Sequence, residues 1–131
     1  MAIRTSYDPE YPPAGSDWLA LPEQERIRVV ATHHMANRLK SGNAKAHAAL
    51  HVMVENQVAR GLGPTVRAVS RLQAQGLSRH DALHAIGAVV SSHVFAAMRE
   101  PKAAQSQELQ SSINAALERL TAESWRAGYG A

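Results

Sequence analysis

No stretch of this chain alternates apolar and polar residues with period two. Its apolar residues recur instead at three and four, the spacing of one face of an α-helix. The spacing predicts five helices. The first spans about residues 21–40, with Pro22 suited to the opening position and Glu23 and Glu25 in the first turn, where the helix dipole favours negative charge. Ile27, Val30, Ala31 and Met35 form its stripe. The second, 44–60, is apolar nearly all round (Ala48, Leu50, Val52, Val54, Val58) and belongs at the centre of a bundle. The third, 64–75, carries Val66, Val69 and Leu72 and ends at a Gly76 cap with its following Leu77. The fourth, 78–100, opens with a capping pair, Ser78 and Asp81, and stops at Pro101. The fifth, 104–126, shows Leu109, Ile113, Ala116, Leu117 and Leu120 on one face. The expected fold is therefore all-α, a single-domain bundle of four to five helices over residues 17–131. Residues 1–16 form an irregular N-terminal tail, because Pro9, Pro12, Pro13 and Gly15 oppose regular structure.

Aromatics make up only 5% of the chain, so the core must come from Ala, Val, Leu, Ile and Met. The absence of cysteine excludes a disulfide framework, a thiolate metal site and a cysteine nucleophile. The first residues hold no apolar segment of signal-peptide type, and no stretch reads as the roughly 20 apolar residues of a membrane span. A cytoplasmic location without membrane contact is the expectation.

Chemistry concentrates in two H-x-x-x-H motifs. The second helix carries His47, His51 and Glu55, at i, i+4 and i+8. At about 100° per residue these drift by only about 80°, so they share a face. The fourth helix repeats the spacing with His80 and His84. Imidazoles four residues apart on a helix can close on one ion at about 2.1 Å. Two facing pairs would supply four nitrogens, with Glu55 as a fifth ligand or as the acceptor that orients a ligand. A nitrogen-rich set suits Zn, Ni, Cu or Fe and disfavours Mg or Ca. The competing reading is structural: a histidine–carboxylate hydrogen-bond network that ties the two helices together in a non-catalytic interaction module, with an Ala-rich helix face forming a homodimer.

Catalytic signatures are incomplete, and no catalytic residue is assigned. His80-Asp81-Ala82-Leu83-His84 resembles the H-E-x-x-H metalloprotease helix with a shorter acid, but Asp81 reads better as part of a helix cap and no third ligand is evident. The E-x-x-H of di-iron bundles is absent after Glu55, and Gly61-Leu62-Gly63 is an inter-helix turn with no preceding strand. Whether the chain is an enzyme stays open.

The net charge of +3 and pI near 9.7 permit nucleic-acid contact without demanding it. Between Arg60 and Arg79 four arginines occur with no acid, and the third and fourth helices with their glycine turn look like a helix-turn-helix. A recognition helix needs a polar face for the groove, whereas residues 82–90 read as core. DNA binding therefore ranks below the other readings, with Arg67 and Arg71 expected on a solvated face or paired with acids of another subunit.

Three stretches, W-L-A-L-P-E-Q-E-R, H-A-A-L-H-V-M-V-E-N-Q-V-A and G-L-S-R-H-D-A-L-H-A-I-G, resemble an uncharacterised bacterial family of small helical proteins, a domain of unknown function. The resemblance runs from Trp18 to about Phe95 and rests on His47, His51, Glu55, Asn56, Gln57, Arg79, His80, His84 and Gly87. His33-His34 depart from the tyrosine–histidine-like pair expected there. The resemblance implies an all-helical fold and no particular activity.

Overall fold

The computed structural model describes residues 7–36, 44–99 and 106–128, with side chains described for 7–32, 48–99 and 107–128. The fold is all-α: seven helices, and no strand among the described residues. They are α1 (Gly15–Ala20), α2 (Glu23–Ala36), α3 (Ala44–Ala59), α4 (Gly63–Ala74), α5 (Arg79–Arg99), α6 (Ser106–Arg119) and α7 (Ala122–Gly128). They fall into two compact units, Met1–Leu62 and Gly63–Ala131.

In the first unit α3 packs against both α1 and α2. The core is Tyr7, Trp18, Val29, Val30, Ala48 and Val52, edged by Leu19, Leu21, Ile27, Ala31 and Ala59. Trp18 is fully buried and Tyr7 is 4% exposed. In a chain this poor in aromatics, two of them provide much of the apolar area that a small unit can bury. Their rings sit 5.9 Å apart, tilted by 40°. The short α1 has no counterpart in the periodicity, because six residues are too few to show one. It begins at Gly15, and Asp17 lies in its first turn.

The second unit joins α4, α5 and α6 around Ala68, Val69, Leu72, Leu83, Ile86, Val90, Ile113 and Leu117. The buried face of α4 is Thr65, Ala68, Val69 and Leu72, while Val66, expected inside, is 36% exposed. α5 is the one helix among the described residues long and apolar enough to cross a membrane, with a mean hydropathy of 1.3 in its best window. The sequence reading did not grant it that length of apolar chain. Core helices reach the same threshold, and α5 packs on α4 and α6 with Leu83, Ile86 and Val90 buried.

The turns explain where the helices stop. At the end of α4 the Leu77 amide donates to Leu72 O at 3.1 Å and the Gly76 amide to Gln73 O at 3.0 Å, with Gly76 at φ +101°. The same paired bonds close α3, through Leu62 to Gln57 and Gly61 to Val58, with Gly61 at φ +72°. This is the Schellman arrangement, in which glycine takes the left-handed position without a Cβ penalty. Gly76→Ala is expected to destabilise the second unit by about 1–2 kcal/mol. Urea unfolding would measure it, and an unchanged midpoint would refute the strain argument. At the start of α5 the Asp81 amide donates to Ser78 Oγ at 3.1 Å, the expected cap.

The single helix expected over 104–126 is two. The Thr121 amide donates to Ser124 Oγ at 3.1 Å and the Ser124 amide to Thr121 Oγ1 at 3.0 Å. This reciprocal cap starts α7 and breaks the run at Leu120 and Thr121. Two partners, one on α4 and one just past its end, complete the break. The Gln75 side-chain carbonyl accepts the Ala122 amide at 2.7 Å. The Arg71 guanidinium donates to Leu120 O at 2.9 Å and to Leu117 O. The apolar stripe alone does not show this boundary, because Leu120 and Ala122 remain buried on either side of it.

Arg67 is occupied within the same unit, its guanidinium meeting the Glu118 carboxylate at 2.8–3.1 Å. Its partner is an acid of its own chain. The hydrogen bond from Arg67 holds the Glu118 carboxyl below the ordinary range; desolvation opposes it, and the charges of Arg67 and Arg71 add lesser lowering effects. A lowered carboxyl contributes stability above its unfolded pKa, and that contribution fades as pH falls through the lowered value. Both side chains are well exposed, at 59% and 43%, so the pair is screened by solvent and salt. Arg67→Ala is expected to leave the thermal midpoint nearly unchanged at neutral pH. A large loss would contradict the exposed geometry.

Candidate functional site

The five residues singled out for metal binding come from α3 and α5. His80 and His84 occupy the first turns of α5, just after the Ser78 cap. Four residues carry a helix 400° round, nearly back to the same face, so the two imidazoles project side by side. Their ring centroids are 4.4 Å apart, tilted by 58°. Both are half-buried. Buried Ala82, Leu83, Ala85 and Ile86 interleave with them and fix the helix face.

On α3, His51 and Glu55 are buried at 3% and 1% exposure. They also stand four residues apart and share a face. The Tyr7 hydroxyl donates to Glu55 Oε2 at 2.5 Å, a short bond inside the core. The next residue, Asn56, accepts two donors at Oδ1: Trp18 Nε1 at 2.9 Å and Arg26 Nη1 at 2.8 Å. Arg26 also donates from Nε to Leu21 O at 2.9 Å and from Nη2 to Leu19 O at 3.3 Å. One arginine thus fastens the α1–α2 connection to α3. Buried polar groups require such partners, and here they come from one tightly wired set.

The structure brings His80 and His84 together, while His51 and Glu55 are both buried on α3. His47 lies in α3 with its side chain outside the described residues, as do the side chains of His33 and His34. His93 is not part of either pair, its Nδ1 lying 2.9 Å from Val89 O one turn back. Tyr7, Trp18, Arg26 and Asn56 are the site-side residues that periodicity did not select. The available signal was scarcity: a tyrosine inside a proline-rich segment of an aromatic-poor chain is a candidate for burial. Arg79, also buried at 3% exposure, is a charged residue that hydrophobic patterning could not have placed inside.

No family model, curated protein or solved structure matches this chain. The chemistry of the site therefore rests on its own residues. The donor set is imidazole with one carboxylate, without thiolates and with few acids, which excludes the oxygen cages preferred by Ca and Mg. Arg67 and Arg71, the centre of the basic segment, are both engaged with α6.

Proposed function

We propose that this protein binds a first-row transition-metal ion, Zn, Ni, Cu or Fe, with His80 and His84 of α5 supplying ligand nitrogens. The observation that carries the reading is the His80/His84 pair, two imidazoles 4.4 Å apart on the opening turns of one helix. A chelating pair on a rigid helix loses little freedom on binding. A two-nitrogen chelate leaves coordination positions open for water or a substrate, as catalytic rather than structural zinc sites do. The resemblance to a small bacterial family and a cytoplasmic setting belong to the same proposal.

Elemental analysis of untagged protein tests it. Wild type is expected to hold about one metal ion per chain after supply and dialysis. His80→Ala with His84→Ala is expected to lose it. Wild type without stoichiometric metal overturns the reading.

The alternative is a non-catalytic module that pairs two copies of the chain. Exposed Val94, Phe95 and Met98 near the end of α5 favour it, at 38%, 61% and 70% exposure. Sedimentation showing only monomer at micromolar concentration sinks that alternative.

A further inference from the structure

The segment before α1 contains no helix or strand, yet Tyr7 and Pro9 are buried while Asp8, Glu10, Tyr11 and Pro12 are exposed. Its turn closes on itself. The Tyr11 amide donates to Asp8 O at 3.0 Å and the Glu10 amide to Asp8 Oδ1 at 2.9 Å, so the turn can move as one piece. The two ends of the segment are held differently. Where α1 begins, Gly15 lies so close to α3 that a Cβ there would stand 3.1 Å from Ala59 O. Three residues on, the Trp18 indole donates to Asn56 Oδ1. At the other end the Tyr7 hydroxyl donates to Glu55 Oε2 at 2.5 Å, with the ring tilted against Trp18. The ground beneath Tyr7 is therefore partly polar. Burying a carboxyl group costs free energy that hydrogen bonds must offset, and water supplies such bonds once the group is uncovered. Lifting Tyr7 returns hydration to Glu55, whereas lifting Trp18 bares an indole and the aliphatic cluster around it.

We propose that residues 7–14 form a strap, hinged where α1 begins at Gly15 and latched by the Tyr7 hydroxyl on Glu55, which opens while α1, α2 and α3 stay folded. Proteins open locally in cooperative pieces whose cost lies below that of global unfolding, and a piece that uncovers a polar group sits toward the low end. What the strap controls is access to Glu55, a side chain 1% exposed while the strap is shut. Tyrosine suits the latch, because its ring grips an apolar neighbour while its hydroxyl finds a partner. A hydrogen bond to a carboxylate is among the stronger ones available to it. The strap lies within the first unit and is independent of the metal-binding reading.

Thiol labelling of the full-length protein tests it, because the chain has no cysteine of its own. Pro9→Cys places one buried thiol under the strap, and Val29→Cys places one in the core on α2. Each is labelled with a soluble disulfide reagent under conditions where closing outpaces reaction, so the rate follows the open population. Pro9→Cys is expected to react faster than Val29→Cys, and its rate to change little in low urea, because opening the strap exposes little surface. The Val29→Cys rate is expected to climb steeply with urea. Equal rates with equal urea dependence would mean that the segment opens only with the whole unit, and overturn the proposal. Adding Tyr7→Phe, which removes the hydroxyl and keeps the ring, is expected to speed labelling of Pro9→Cys about 10- to 100-fold. Its low urea dependence is expected to persist. Adding Glu55→Gln instead, which keeps an acceptor without the charge, is expected to give a smaller increase. A Pro9→Cys rate that Tyr7→Phe leaves unchanged overturns the latch.

Discussion

Trp18→Ala is expected to destabilise the first unit by about 3–5 kcal/mol. Trp18 is fully buried in a cluster whose remaining members are Tyr7 and small aliphatic residues, so few neighbours can collapse into the space it leaves. The indole also donates to Asn56 Oδ1, and its loss leaves that oxygen to Arg26 alone. Whole domains have only about 5–15 kcal/mol of stability, and units near 60 residues sit at the low end. Amide exchange read along α3 is the measurement, since the 16 residues Ala44–Ala59 form the central helix of the unit. Protection in α3 is expected to fall by orders of magnitude, and by more than in α6. Trp18→Phe, which keeps a ring but not the N–H, is expected to lose less. Protection in α3 that survives the alanine substitution would show that Trp18 is not the keystone proposed.

Arg71→Leu is expected to destabilise the second unit by about 2–4 kcal/mol, although the residue is only half-buried. The last carbonyls of a helix have no partners within it, and at the end of α6 two of them face the Arg71 fork. Hydrogen bonds from a charged donor contribute about 1.5–3 kcal/mol each, and the positive charge also opposes the negative end of the α6 dipole. Arg71→Lys is not a conservative replacement, because one ammonium cannot span carbonyls three residues apart in the geometry of a planar fork. Chemical denaturation of Arg71→Leu, Arg71→Lys and Arg67→Ala decides the matter. The expected ranking puts both Arg71 variants well below Arg67→Ala. Equal midpoints for the three would mean that the carbonyl contacts carry no net stability.

The all-α class was legible because helical periodicity is written in side-chain identity, and the cap residues Ser78 and Gly76 punctuate it with defined backbone chemistry. Helix ends set by local signals agree with the structure to within a residue or two from α3 to α5. The break between α6 and α7 was not legible. It depends on Arg71 and Gln75, which reach it from 46 to 49 residues earlier in the chain. The candidate site divides in the same way. The spacing of His80 to His84 and of His51 to Glu55 follows from helix geometry alone. What fills the space around Glu55 does not, since Tyr7 lies 48 positions away in a stretch where prolines suppress any pattern. The third arginine of the basic segment, Arg71, illustrates the limit: composition counts its charge, but its function is to terminate a helix.

The two tryptophans are divided one to each unit, Trp18 sealed in the first and Trp125 half-buried in α7 of the second. The molecule therefore carries a built-in pair of optical reporters. Trp18, shielded from water, should emit toward the blue and resist iodide or acrylamide quenching, while Trp125 should emit further to the red and quench readily. A Trp125→Phe background isolates the first signal and a Trp18→Phe background the second, so the melting of each unit becomes visible separately without any added label.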